Sequence, residues 1–256
     1  EMSESSEDLL ARAGIRIAGF VDNAERSNDA PSIDPEFKDT VPIGDLTSEM
    51  VSELVSAFCR DTRSESASSS AEKFRHALLT NATSESIKLR AHRLGMHSGV
   101  YLSKLIKQLP LTSLDLYGNV LRDVGAVALL QSLRQHETLT DLNLGSNDLS
   151  MESGIALARE LETHKRLQKL DLGTEENAMY ANRFNNLVGV AFGQTLQNNT
   201  TLKELGLNGV GIGRTAEKKE DSKFQASAAL GMMLQRNTYL QVLKASANSL
   251  GTSGLV

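Results

Sequence analysis

Five positions recur at one interval in the middle of the chain. Leu111, Leu114, Leu116, Asn119 and Leu121 return 28 residues later as Leu139, Leu142, Leu144, Asn147 and Leu149. A fixed period of that length marks a stacked repeat, in which each unit is one small element that cannot bury its apolar face alone. A wider skeleton surrounds these positions. A helix leucine is followed after six residues by a leading position, then by apolar residues three and five further on. Leu105 leads to Leu111, Leu114 and Leu116; Leu133 to Leu139, Leu142 and Leu144; Leu161 to Leu167, Leu170 and Leu172. Leu196 leads to Leu202, Leu205 and Leu207, and Leu234 to Leu240, Leu243 and Ala245. A worn copy comes first, with Leu78 leading to Ser84, Ile87 and Leu89, so about six strands are expected.

The spacing LxxLxL puts alternate leucines on one side of a short strand. An Asn three residues later can satisfy the backbone of a turn with its side chain, which makes it structural rather than a ligand. Asn119, Asn147 and Asn248 stand there directly, and Asn182 stands there after an insertion. Gly125, Gly154, Gly189 and Gly254 fall near each helix start, and Leu129 with Leu133, Leu157 with Leu161, and Phe192 with Leu196 supply the inner face. Aromatic content is 4% with no Trp, so leucine and alanine must fill the core. A fully buried Leu contributes roughly 1.5–3 kcal/mol.

Three regions are expected. Residues 1–45 read as an N-terminal arm or linker: an acidic opening, IRIAGFV at Ile15 to Val21 as a strand or bound extended segment, then a polar stretch with Pro31 and Pro35. Residues 46–83 read as an N-terminal helical cap. Thr47 or Ser48 caps a helix whose Met50, Val51, Leu54, Val55 and Phe58 share one face. Such a cap covers the apolar end that a first repeat exposes. Cys59 reads as a small half-buried residue, DTRSESASSS (61–70) as a flexible polar loop, and Ala71 to Asn81 as helix. Residues 84–256 read as the repeats. The chain begins with Glu and stops soon after a strand, so it reads as an excerpt of a longer protein, truncated at its C-terminus.

The leading positions Ser84, Leu111, Leu139, Leu167, Leu202 and Leu240 are spaced by 27, 28, 28, 35 and 38 residues. The last two repeats therefore carry insertions, near 173–183 and 208–223, which should lie side by side on one rim. Per-repeat insertions on one face often form a binding face. Tyr180, Arg183, Arg214, Lys218 and Lys219 are its candidate contacts. Gly206, Gly209, Gly211 and Gly213 lack the Lys-Ser or Lys-Thr pair of a phosphate loop and read as a flexible loop. Between the inward leucines, outward residues should form three columns. One holds Ser113, Asp141, Lys169, Glu204 and Val242; the next Asp115, Asn143, Asp171, Gly206 and Lys244; the third Tyr117, Gly145, Gly173, Asn208 and Ser246. This face is polar, small and mildly acidic, with Tyr117 its one aromatic. It would suit a partner with a basic patch, or the chain's own arm.

The net charge of -5 argues against nucleic acid or an anionic membrane as main partner. One cysteine excludes an intrachain disulfide and fits a reducing compartment. No run of 18 apolar residues and no secretory signal is present. Asp115 and Asp171, two strands apart, should stand roughly 9–10 Å from each other, too far for one metal ion. The scattered histidines support no catalytic arrangement, and His136 and His164 read as helix C-terminal cations or simply exposed groups. No cofactor, metal or enzymatic activity is expected.

The stretches LTSLDLYGNVLRDVGAVALLQSL and LTDLNLGSNDLSMESGIALAREL resemble the ribonuclease-inhibitor-like class of leucine-rich repeat. The likeness covers roughly Ser84 to Val256. It implies an α/β solenoid, a horseshoe with parallel strands on the concave face and helices on the convex face. Members of the class include GTPase activators, actin-capping proteins, innate-immune sensors and axonemal repeat proteins. The first expectation is a non-catalytic interaction scaffold in a larger cytoplasmic assembly, cytoskeletal or ciliary. A GTPase activator would need a rim arginine, Arg122, Arg183 or Arg214. An innate-immune sensor or pathogen effector fragment is the third reading.

Overall fold

The computed structural model describes residues 46–134, 136–175, 178–214 and 225–251. The expected arm (1–45), Lys218 and Lys219, and Gly254 lie outside the described residues. Two helices come first, α1 (Ser48–Thr62) and α2 (Ser69–Asn81). Strands and helices then alternate: β1 (Ser86–Lys88), α3 (Met96–Ile106), β2 (Ser113–Asp115), α4 (Arg122–Leu133) and β3 (Asp141–Asn143). They continue with α5 (Met151–Thr163), β4 (Lys169–Asp171), α6 (Asn186–Leu196), β5 (Glu204–Gly206), α7 (Gln225–Arg236) and β6 (Val242–Lys244). All six strands form one parallel sheet in the order β1-β2-β3-β4-β5-β6. This is an α/β solenoid: each strand pairs with the next in sequence, and the intervening helix returns the chain along the opposite layer.

The register is the one the period demands. Ile87, Leu114, Leu142, Leu170, Leu205 and Leu243 face each other across the sheet. The first five are at most 2% exposed, which shows that the worn first copy is a working strand. Leu243 is half-buried, because β6 has a neighbour on one side only. Helix glycines set the spacing of the other layer. A Cβ on Gly99 would come within 2.6 Å of the Gly125 backbone, and one on Gly189 within 2.6 Å of Ala226. These residues let successive helices approach more closely than any side chain permits.

The N-terminal helices follow the same logic. Thr47 caps α1 by accepting from the Met50 N–H at 3.2 Å, and Val51, Leu54, Val55 and Phe58 are buried. Phe58 stacks on Phe74 of α2 at 4.4 Å between centroids. Cys59 is buried rather than half-buried. The segment 61–70 is not a flexible loop throughout. Asp61 and Thr62 complete α1, Ser68 caps α2, and only the turn between them is irregular. The Asp61 side chain is 3% exposed and caps a different helix. It accepts from the N–H groups of Gly95, His97 and Ser98 at 2.8, 3.0 and 2.9 Å, at the start of α3. One carboxylate thus satisfies three of the donors that a helix start leaves over, and ties α1 to the first repeat.

The asparagines form a ladder that joins repeats. Asn119 donates to Leu89 and Leu116 carbonyls at 2.7 and 2.8 Å and accepts from His92 and Leu94 N–H groups at 2.9 and 3.0 Å. Asn182 donates to Leu144 and Leu172 carbonyls and accepts from Asn147 and Leu149 N–H groups. Asn248 donates to the Leu207 carbonyl and accepts from Gly211 and Ile212 N–H groups. In each case part of the set belongs to the preceding repeat. The first insertion therefore returns the chain to register at Asn182. The fifth repeat places buried Val210 at this position instead.

Candidate functional site

The outward columns lie as the spacing requires, and β1 adds Ser86 and Lys88 to the first two. Their side chains are not all free. Asp115, Asn143 and Asp171 each turn an oxygen back onto the N–H two residues on, at 3.1, 3.0 and 2.9 Å. This repeated short-range bond orders the turn after each strand. In the first column Lys169 and Glu204, direct cross-strand neighbours, pair at 3.2 Å, and the Thr140 hydroxyl donates to Asp141 at 2.6 Å. An exposed pair of this kind contributes at most about 1 kcal/mol. Asn208 accepts from Ser246, and Ser113 and Lys244 complete the surface.

A cluster that the sequence columns leave out crosses the first four repeats. Arg90, two residues past β1, lies with its guanidinium carbon 4.5 Å from the Tyr117 ring centre. It pairs with Asp115 at 3.3 Å and with Glu175 at 2.8 Å. Glu175 belongs to the first insertion, and its N–H donates to the Tyr117 hydroxyl at 3.0 Å. The Ser146 hydroxyl donates to the Thr174 hydroxyl at 3.0 Å and lies 3.3 Å from the Tyr117 hydroxyl. The Tyr117 ring lies over Gly145, where a Cβ would come within 2.9 Å of it. Gly145 is therefore the floor on which the aromatic side chain rests. Nothing in the repeat period foretells this contact, since Arg90 and Glu175 are 85 residues apart.

The other end of the first insertion is also tied down. The Asp148 N–H donates to the Tyr180 carbonyl at 2.8 Å. Arg122 and Arg183 both reach the Asp148 carboxylate, at 3.4 and 2.6 Å, with their own side chains mostly exposed. Met179 stands out at 85% exposure between these ties. Arg214 is exposed and accepts the Asn186 N–H with its carbonyl. Residues 215–224 lie outside the described residues, so the expected side-by-side placement of the two insertions rests on the sequence alone. Gly213 has a packing reason: any Cβ there would strike the Asn248 and Ser249 carbonyls of the next repeat.

His136 and His164 stand at helix ends as hydrogen-bond acceptors. Each uses Nδ1 to accept the N–H of the residue that leads the next strand, Leu139 at 3.2 Å and Leu167 at 3.1 Å. Asn199 and Asn237 do the same for Leu202 and Leu240 with their side-chain oxygens. His164 is 5% exposed, and burial, with His136 nearby, lowers its pKa, so it sits neutral. Glu160, on the same wall, is held above the usual carboxylate range by burial, against the pull of Arg134. Both line a small cavity between leucine side chains. Among the described residues no three of His, Cys, Asp or Glu come together as a metal site. No helix among them is long and apolar enough to cross a membrane.

The strand–helix repeat, its inward leucines and its Asn ladder define a class of repeat solenoid. The family model described as Leucine Rich repeat matches residues 108–130 and 135–158. The chain thus carries leucine-rich repeats, matched at these two units. No curated protein matches it. Among solved structures it is similar to "Leiomodin-1 Actin-Binding Site 2 (ABS2)", with 15% identity and a TM-score of 0.44, over 80% of this chain and 92% of that one.

Proposed function

We propose that the chain is a non-catalytic protein-binding module whose recognition surface is the outward face of the sheet together with the first insertion. The contrast between the two faces of the sheet carries this reading. The inward Ile87 and leucines of β1 to β5 are sealed by the helix layer, while the polar columns opposite have no layer over them among the described residues. A sheet face held rigid by buried repeats presents side chains at fixed intervals, which reduces the ordering cost of binding. Ser113, Asp141 and Lys169 at the centre, with Tyr180 and Arg183 on the rim, are the contacts we assign. Arg122 and Arg183 brace the loop through Asp148, which favours scaffolding over the reaching arginine that a GTPase activator requires.

Photo-crosslinking tests the reading. A photoreactive amino acid is placed at Ser113, at Lys169, or at Gln131 on the exposed side of the helix layer. In native extract the two strand-face positions should capture one common protein, and Gln131 should not. No adduct at Ser113 and Lys169, or the same adducts at all three, would sink it.

A further inference from the structure

We propose that Arg90 is a carboxylate-binding position on the strand face, filled in the free chain by its own Glu175 and taken over by an acidic side chain of a bound protein. This rests on the strand-face reading above. The guanidinium is held from two sides without Glu175. The Tyr117 ring lies 4.5 Å beneath it, and Asp115 Oδ2 lies 3.3 Å from Nη1. The two holders brace each other, because Asp115 Oδ1 accepts the Tyr117 N–H at 3.1 Å. An arginine stacked on an aromatic face and fixed at one edge is a preorganised fork for a planar carboxylate. Its Nη2 edge is where Glu175 Oε1 sits, at 2.8 Å.

Glu175 is the replaceable member. Its side chain is 67% exposed. The loop does not depend on it, since the Glu175 backbone N–H bonds to Tyr117 and the Thr174 N–H to the Asn208 carbonyl, at 3.0 and 2.9 Å. An exposed ion pair contributes about 0.2–1 kcal/mol, so the carboxylate can swing into water at little cost while Arg90 stays in place. A partner that excludes water from the same edge strengthens its own pair with Arg90. Charge agrees. Asp115 is spent on Arg90 and on Tyr117, and exposed Lys88, in register with Asp115, adds a second cation. The corner thus selects an acidic residue, and Glu175 acts as a competitor in cis that keeps an unoccupied arginine neutralised.

The test uses the purified chain and a fluorescein-labelled peptide, Ser-Glu-Glu-Ser-Glu-Glu, followed by anisotropy at low ionic strength. Glu175→Ala should tighten binding by about 1.5- to 5-fold, the release of a surface pair. Arg90→Ala should weaken it at least tenfold on the Glu175→Ala background, Arg90→Lys should fall between, and Lys104→Ala on the helix layer should change nothing. Unchanged or weaker binding by Glu175→Ala, equal binding by Arg90→Ala, or no binding by any variant would overturn the proposal. If the peptide fails while crosslinks at Ser113 and Lys169 still capture a protein, the binding face stands and the carboxylate position falls.

Discussion

Replacing Asn182 with alanine should cost the fold about 3–5 kcal/mol. Asn182 is 1% exposed and its amide closes four bonds. It donates to Leu144 and Leu172 carbonyls at 3.0 and 2.8 Å and accepts from Asn147 and Leu149 N–H groups at 3.0 and 3.1 Å. Alanine leaves all four backbone groups without this partner in a dry interior. A buried orphaned group costs about 1–3 kcal/mol. The two N–H groups alone set a floor of about 2 kcal/mol, and the carbonyls, each with a second lone pair, add less. The assay is urea unfolding followed by circular dichroism, with the midpoint shifting at constant slope. Asn182→Asp keeps the acceptor but turns a buried carboxylate oxygen onto the Leu144 and Leu172 carbonyls, so at neutral pH it should cost at least as much as alanine. Asn198→Ala, at an exposed helix end, should move nothing. If Asn182→Ala costs under about 1 kcal/mol, or no more than Asn198→Ala, then the insertion does not return to the ladder through this amide.

Leu144→Ala should cost about 2–5 kcal/mol by calorimetry, because Leu144 is fully buried between β3 and the helix layer. Asp61→Ala should cost about 2–3 kcal/mol, and hydrogen exchange should rise at Gly95, His97 and Ser98 and along α1 while β4 and β5 keep their protection. His164 has a folded pKa below its usual value of about 6.5, so stability is intact above that pH and declines as pH falls through it. His164→Asn, which installs the residue used at Asn199 and Asn237, should flatten this decline between about pH 7 and 5.5. A variant with the wild-type slope would show that another group carries the pH dependence.

The fold was legible because its determinants are periodic. Leu114, Leu142, Leu170 and Leu205 do one job at one interval, and so do Asn119, Asn147 and Asn248. Even the displaced Asn182 could be found by asking where the period resumes. The polar cluster was not legible for the opposite reason. Arg90, Tyr117 and Glu175 stand in different repeats, and meet because the first insertion brings Glu175 back to a Tyr117 ring laid over Gly145. Asp61 was hidden in a serine-rich stretch, where its burial depends on α3 arriving from outside the local sequence. His164 misled because a histidine at a helix end suggests charge, whereas here the ring stands in for an asparagine oxygen.

The ladder has a direction, and that direction bears on how the chain is made. Each amide reaches backward: Asn119 completes the turn at His92 and Leu94, Asn182 the one at Asn147 and Leu149, Asn248 the one at Gly211 and Ile212. A repeat leaving the ribosome therefore holds unfinished backbone until the residues of its successor have followed it out. Folding trails synthesis by one repeat, and at every moment the newest turn is the one open to proteolysis, to chaperones, or to the wrong neighbour.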